Sequence, residues 1–293
     1  MEPLDFSDRD GVIWYDGRLV PWREARLHVL CHSLHYGNAC FEGERAYGGR
    51  VFKLTEHSKR LIHSCMVMDY VLPYSVEEID QATREVVAAN GISDGYVRPI
   101  AWRGPSQLSV SAKGTSPHLA IACWPWPTYY GDDARLKGVR LMTSEWVRPS
   151  PNSAPTNTKA AGLYMICTLS RHAAENAGFD DALMLDYRGR VAEATGANIF
   201  FVFDGILHTP VPDCILNGIT RQTVMALARA RGLEVVERPI MPEEMAGAQE
   251  VFLTGTAIEV NPIRQIDRLE FTVGPITTAL AREYHDLVRS PTE

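Results

Sequence analysis

The sequence predicts an α/β or α+β protein of two domains, and three observations carry that prediction. Strand-like and helix-like segments are mixed along all 293 residues, a length that suits one large domain or two ordinary ones. A stretch stiffened by proline, Trp124-Pro-Trp-Pro-Thr-Tyr-Tyr-Gly-Asp-Asp, interrupts them near the middle and reads as a link between domains. The balance of 45% hydrophobic and 22% charged residues is that of an ordinary globular chain. The expected division is a small α/β domain over 1–127, a linker over 128–137 and a larger domain over 138–293.

Each element has a local reason. Val12-Ile13-Trp14-Tyr15 and Arg18-Leu19-Val20 flank Asp16-Gly17, a pair suited to the positive φ of a tight hairpin. Thr55 is placed to cap a helix running to about Met68, with Leu61, Ile62, Cys65 and Met66 on one face. Ser75 opens a second helix that ends at Gly91. Strands are expected over Tyr96 to Trp102, Leu119 to Trp124, Val139 to Thr143, Ala182 to Asp186, Asn198 to Phe203, Ile206 to His208 and Val251 to Thr254. Helices are expected from near Lys159 to about Asn176, from Ile219 to Arg231, and from Pro275 onward.

Composition removes several classes of function. With 29 Lys+Arg against 36 Asp+Glu the formal charge is 29 − 36 = −7, so no positive field gathers nucleic acid or an anionic membrane. No stretch approaches the roughly 18 apolar residues of a membrane span. The first ten residues lack the basic start and apolar core of a signal peptide, so the expected location is the cytoplasm. The six cysteines are scattered without a C-x-x-C pair and mostly sit in apolar company, which reads as buried reduced thiols rather than a metal knuckle or disulfide framework.

Chemistry concentrates in the second half. Lys159 follows a polar loop and begins Ala-Ala-Gly-Leu-Tyr. A lysine at a helix N-terminus faces the positive end of the dipole, which favours the free amine that Schiff-base chemistry needs; an ordinary solvated lysine is the plain alternative. Glu193 lies among small and apolar residues before a strand. A buried acid there calls for a cation, either a protonated pyridine nitrogen or a structural arginine. Asn217-Gly218-Ile219-Thr220-Arg221 opens a helix whose first N–H groups suit a phosphate, although Gly and Thr also simply cap helices. Leu253-Thr254-Gly255-Thr256-Ala257 offers further donors in a small loop.

Taken together, these motifs resemble the class IV aminotransferases. The resemblance rests on Asn152-x-x-Pro155-x-x-x-Lys159-x-x-Gly162-x-Tyr164, then Glu193-Ala-Thr-Gly-Ala-Asn198, Gly218-Ile-Thr-Arg221 and Thr254-Gly-Thr-Ala257. Within that family the branched-chain amino acid aminotransferases are most similar, through His32-x-x-His35-Tyr36-Gly37, Phe41-Glu42-Gly43 and Tyr96-Val97-Arg98-Pro99. The match runs from the Trp14 hairpin to the Thr256 loop.

The resemblance implies fold type IV, a small α/β domain beside a larger pseudo-barrel domain carrying the lysine, and pyridoxal 5′-phosphate as cofactor. It implies that Lys159 holds the cofactor and shuttles the proton, that Glu193 pairs with the pyridine nitrogen, and that Tyr164 meets the ring hydroxyl oxygen. Arg60, Gly218, Ile219, Thr220 and Thr256 would bind the phosphate. Tyr96 with the Thr256 and Ala257 amides would take the substrate α-carboxylate, and Tyr36, Phe41, Trp126 and Tyr129 would wall the side-chain pocket. Gly43 would leave room for a branched side chain, Arg45 belongs to the same pocket, and Arg98 would receive the distal carboxylate of glutamate. The implied assembly is a homodimer or larger homo-oligomer with shared active sites.

Three positions depart from the pattern. Glu44 stands where an aliphatic residue is common, Asn217 replaces a common proline, and the segment 104–113 lacks the Gly- and Val-rich form of a specificity loop. These leave open a class IV relative acting on D-amino acids or (R)-amines, or an aminodeoxychorismate lyase. A metal-dependent hydrolase built on His28, His32 and His35 is the rival of another class, but no carboxylate cluster completes its shell.

Overall fold

Cross-strand pairing at the Asp16-Gly17 turn sets the first layer. Both residues take positive φ, 46° and 95°, and join β1 (Val12–Tyr15) to β2 (Arg18–Pro21) in the expected hairpin. The computed structural model describes residues 5–126 and 137–290, and their contacts group them into two units.

The first unit holds residues up to 126 together with Thr158–Gly162. After a short helix α1 (His32–Tyr36) come β3 (Cys40–Phe41), β4 (Glu44–Tyr47), β5 (Arg50–Val51), and two helices, α2 (Leu54–Val67) and α3 (Val76–Ala89). The long β6 (Gly95–Arg103) and β7 (Pro117–Pro125) complete a seven-stranded antiparallel sheet in the order β2-β1-β7-β6-β4-β5, with β3 also on β6. α3 packs on β1 and β7 and α2 on β3, burying Leu61, Cys65, Ile79 and Val86. Ser75 caps α3 through a reciprocal pair with Glu78. Thr55 is not the cap of α2: Lys53, at φ 54°, precedes that helix. The Thr55 hydroxyl instead donates to Asp80 at 2.6 Å, a buried acid that outcompetes the helix end for it.

The second unit holds 137–157 and 163–290 among the described residues. Its strands are β8 (Val139–Thr143), β9 (Asp181–Leu185), β10 (Val191–Ala194), β11 (Asn198–Phe203), β12 (Ile206–Thr209), β13 (Val235–Glu237), β14 (Glu250–Gly255), β15 (Glu259–Ile266) and β16 (Leu269–Glu270). Its helices are α4 (Met165–Asn176), α5 (Ile219–Ala230) and α6 (Pro275–Arg289). The order is β10-β9-β8-β15-β14-β11-β12-β13, and an extra pairing of β10 with β11 closes six strands into a ring. Every strand of the ring sends residues into one core, including Leu141, Leu183, Val191, Ile199, Leu253 and Ile263. That is the pseudo-barrel, a filled ring rather than a pore.

The segment 158–162 departs from the expected division, which carries Lys159 with 138–293. Ala160 bridges to Cys40, and the N–H groups of Ala161 and Gly162 donate to the carbonyls of Ala39 and Gly37. Those pairings tie it to the first unit. The expected linker lies almost wholly in 127–136, outside the described residues.

Candidate active site

Lys159 is held by its backbone. Its N–H donates to Ser64 Oγ at 3.1 Å, and its carbonyl accepts from Phe41 N–H at 3.1 Å. The expected helix does not start at this lysine: a 3-10 turn spans Ala161–Tyr164, and α4 follows from Met165. The dipole argument for Lys159 therefore falls away, because its backbone is committed to pairing with the strand beside it. Close approach is built in by two glycines, since a Cβ on Gly162 would lie 2.7 Å from the Gly37 carbonyl oxygen.

Next to it stands an aromatic box. Lys159 Nζ lies 5.1 Å above the Phe41 ring, and the Arg98 guanidinium lies 4.7 Å from the same ring and 5.2 Å from that of Tyr96. Arg98 also donates to the Tyr96 hydroxyl at 3.2 Å. Trp126 lies 5.4 Å from Tyr96. A Cβ on Gly43 would come 2.0 Å from Tyr96 Oη, so the ring occupies the space a larger residue would need. Arg45, opposite Tyr96 on the neighbouring strand, is buried over Tyr47. The structure thus brings together Lys159, Phe41, Gly43, Tyr96, Arg98 and Trp126. Tyr36 is 44% exposed and stacks on His32 at 4.5 Å. Tyr129 lies outside the described residues.

Arg60 is bonded bidentately to a fully buried carboxylate. Its Nε and Nη2 each reach Glu42 at 2.7 Å, and His57 Nδ1 reaches Glu42 at 2.7 Å. Burial pushes the Glu42 carboxyl up, but the charge and hydrogen bonds of Arg60 outweigh it, with help from His57, and hold it below the usual range. Burial lowers His57 despite Glu42. The motif Phe41-Glu42-Gly43 includes this triad's acid without giving it a role, although His57 and Arg60 sit three residues apart on one helical face, spaced to share a partner.

In the second unit, Glu193 forms the seam of the ring, paired across it with Asn198. Its Oε1 lies 3.3 Å from Arg148 Nε, and its Oε2 accepts from Asn198 Nδ2 at 3.2 Å. A structural arginine is therefore present beside the buried acid. Burial would lower the Arg148 guanidinium, but Glu193 first, then Cys167 and Tyr164, raise it. The Asn198 amide also donates to the Leu216 carbonyl at 3.0 Å, linking Glu193 to the turn before α5. Gly218 caps α5 without a side-chain bond, and a Cβ on it would meet Asn198 Oδ1 at 2.2 Å. Among the described residues, no side chain is seen to cap the first N–H groups of α5, those of Ile219 and Thr220. Arg221 anchors that end from inside, donating to Asn217 Oδ1 at 2.9 Å and to Glu237 at 2.7 Å. This gives the Asn217 departure a structural role. Thr256 and Ala257 form the turn between β14 and β15, and Asn198 is opposite Thr254. Tyr164 closes the 3-10 turn that leads into α4.

A family model described as amino-transferase class IV matches residues 39–266. The chain belongs to the class IV aminotransferases. A relative from Pseudomonas aeruginosa named branched-chain-amino-acid aminotransferase is 43% identical over 297 residues, 99% of this chain and 97% of that one. The solved branched-chain aminotransferase of the thermophilic archaeon Thermoproteus uzoniensis, with norvaline, superposes with a TM-score of 0.92 at 38% identity, covering 97% of each chain. The branched-chain amino acid aminotransferase of Thermobaculum terrenum, solved in its PLP-bound holo form, gives 0.87 at 35% identity, with coverage of 96% of this chain and 95% of that one.

The histidines proposed for a metal serve other purposes in this class IV chain. His32 Nε2 meets the Ser109 carbonyl at 2.8 Å, His35 Nε2 meets that of Val29 at 2.8 Å, and His28 Nδ1 accepts from Leu30 N–H. Elsewhere among the described residues, Asp186, Asp213 and Cys214 cluster, with the Arg188 guanidinium bonded to both carboxylates. All six cysteines are free and buried. No described helix is long and apolar enough to cross a membrane.

Proposed function

We infer that this enzyme is a pyridoxal 5′-phosphate-dependent aminotransferase that moves the amino group of branched-chain L-amino acids to 2-oxoglutarate by a ping-pong mechanism. The observation that carries the reading is the backbone-clamped Lys159 beside the Phe41–Tyr96–Arg98 box, in a chain whose relatives bear that activity in their names.

The residues fit such a cofactor. A helix N-terminus with a glycine cap and no side-chain competitor suits a phosphate, and the buried Glu193 suits a protonated ring nitrogen. Bound pyridoxal phosphate supplies an electron sink that acidifies the substrate Cα–H. Lys159 Nζ would attach the cofactor and move the proton at Cα. The Glu193 carboxylate would keep the ring nitrogen protonated, and the Tyr164 hydroxyl would orient the ring oxygen. Arg60, the Ile219 and Thr220 amides at the Gly218 cap, and Thr256 would bind the phosphate. Tyr96 with the Thr256 and Ala257 amides would take the α-carboxylate. Phe41, Tyr36, Trp126 and Tyr129 would wall the side-chain pocket with Gly43 and Arg45, and Arg98 would receive the distal carboxylate of glutamate. Apolar walls for leucine and one arginine for glutamate let a single pocket take both substrates in turn.

The enzyme would act in the cytoplasm as a homodimer or larger assembly with shared active sites. In support, Val29, Leu34 and Val110 stand exposed on the first unit, an apolar set suited to an interface. The test of the activity is a visible absorption spectrum of the purified holoenzyme. L-Leucine should bleach the visible band of the lysine-bound cofactor, and 2-oxoglutarate should restore it. A band that ignores L-leucine but answers a D-amino acid would overturn the substrate, and no band after adding cofactor would overturn the cofactor.

A further inference from the structure

Two residues beyond Glu42, on β4, a second carboxyl lies at zero exposure. Neither oxygen of Glu44 has a hydrogen-bond partner among the described residues. Glu44 is opposite Val97 and Arg45 is opposite Tyr96, so the two side chains leave opposite faces of the sheet. The charged groups that act on Glu44 are Glu42, Asp80 of α3 and Arg60 of α2. Both neighbouring acids are served. Glu42 takes Arg60 and His57, and Asp80 accepts from the hydroxyls of Thr55 and Ser58, each at 2.6 Å, with Arg84 at 3.8 Å. The cation acting on Glu44 is thus already bound bidentately to another carboxylate. His57, which responds to Glu42, Arg60 and Lys159, is pushed by burial towards its neutral form and brings no charge to Glu44.

An ionised carboxylate without a donor is among the costliest things a core can hold. Burial, and then the charges of Glu42 and Asp80, push Glu44 well above the carboxylate range, with Arg60 opposing. We propose that Glu44 is carried as a neutral carboxylic acid and acts as a proton-release switch on the Glu42–Arg60 pair. On losing its proton to solvent, it becomes a second anion beside Glu42, and Arg60 is then shared between the two. Raising the pH therefore loosens the bidentate pair. If Arg60 holds the cofactor phosphate, as in the functional reading above, cofactor retention becomes proton-dependent; the switch itself belongs to the cofactor-free chain.

The experiment compares the cofactor-free wild type with Glu44→Gln and Glu44→Leu by denaturant unfolding from about pH 6 to about pH 9, the range above the carboxylate values of an unfolded chain. A group with a raised folded pKa contributes stability that is complete below its unfolded pKa and lost as pH rises towards the folded one. The wild-type unfolding constant should therefore rise by up to tenfold per pH unit from this proton, and both variants should lack that slope. A Glu44→Gln slope parallel to wild type overturns the proposal, and Glu44→Leu carries the same comparison should the glutamine variant not fold. Infrared difference spectra add a direct readout: a protonated-carboxyl band at neutral pH, absent from Glu44→Gln. No such band in the wild type also overturns it. Release of pyridoxal phosphate from the holoenzyme separates the two claims. Release that is equally insensitive to pH in wild type and Glu44→Gln, while the unfolding slopes differ, upholds the switch and removes Arg60 from the phosphate site.

Discussion

Glu42 and Glu44 are two residues apart, both fully buried, and they face opposite fates. Glu42 meets two N–H groups of Arg60 and the His57 ring, and is held as an anion. Glu44 meets no donor among the described residues and is pushed towards the acid form. Burial is common to both, so it does not decide the charge; the donors that the neighbouring helix presents decide it. The lesson extends to Glu193, where Arg148 and Asn198 surround a buried acid at the seam of the ring.

The largest effect should come from breaking the served acid. Glu42→Gln removes the carboxylate charge that Arg60, whose side chain is 14% exposed, bonds bidentately. Removing one member of a buried pair costs about 3–5 kcal/mol, and the slight exposure favours the lower end. The denaturant midpoint should fall with an unchanged slope. A loss below about 1 kcal/mol, the scale of a surface pair, would mean that Arg60 does not separate the two acids. Next is Gly43→Ala, between them. Its Cβ would strike Tyr96 Oη, and overpacking of this kind costs about 1–3 kcal/mol. Because Tyr96 also contacts Arg98, KM for glutamate should rise along with the loss of stability. Unaltered kinetics would separate the Gly43 contact from substrate binding.

The pH dependence of the pair sharpens the contrast through its sign. Glu42 has a lowered folded pKa, so its stability is full above the unfolded carboxylate range and drains as pH falls through and below it. Glu44 loses stability in the other direction. Acid unfolding of Glu42→Gln should therefore be flatter than wild type, and the alkaline loss smaller, because Glu44 is relieved of the Glu42 charge and keeps that of Arg60. An alkaline limb identical to wild type would show two independent titrations instead of one coupled pair.

Much of the fold was legible because its signals are local. Asp16-Gly17 and Asp204-Gly205 turns, the Ser75–Glu78 cap and the run Val139–Thr143 depend on neighbours in sequence. The closure of the ring was not, because the Glu193–Asn198 pairing is one link of a circuit that runs through Leu141 and Ile263. The Lys159 segment shows a local signal overridden: Ala-Ala-Gly-Leu-Tyr reads as α-helix, yet Gly37, Ala39 and Phe41 pair with Lys159, Ala161 and Gly162 from more than a hundred residues away, and a 3-10 turn stands where the helix was expected to open. Motifs placed Lys159, Tyr96, Arg98 and Phe41 in the candidate site. They did not reveal Arg148, whose only sequence signal is a charge within the apolar Trp146-Val147-Arg148-Pro149.

The smallest expected effect probes the neutral member of the served cluster. His57 Nδ1 bonds Glu42 at 2.7 Å, while burial, opposed by Glu42, lowers its pKa. With the ring neutral at pH 7, His57→Gln replaces one uncharged donor to the Glu42 carboxylate by another, at a cost of about 1 kcal/mol. The pH signature is more telling than the size. A histidine with a lowered folded pKa binds its proton more tightly when unfolded, so wild-type stability should decline as pH falls through the ordinary histidine range. His57→Gln should lack that decline and keep the lower acid limb that belongs to Glu42. If instead the variant loses about 3 kcal/mol, the cost of an unpaired buried ion, the ring is a cation. Glu42 would then be served by two charges, and the contrast with Glu44 would rest on total positive charge rather than on hydrogen-bond donors.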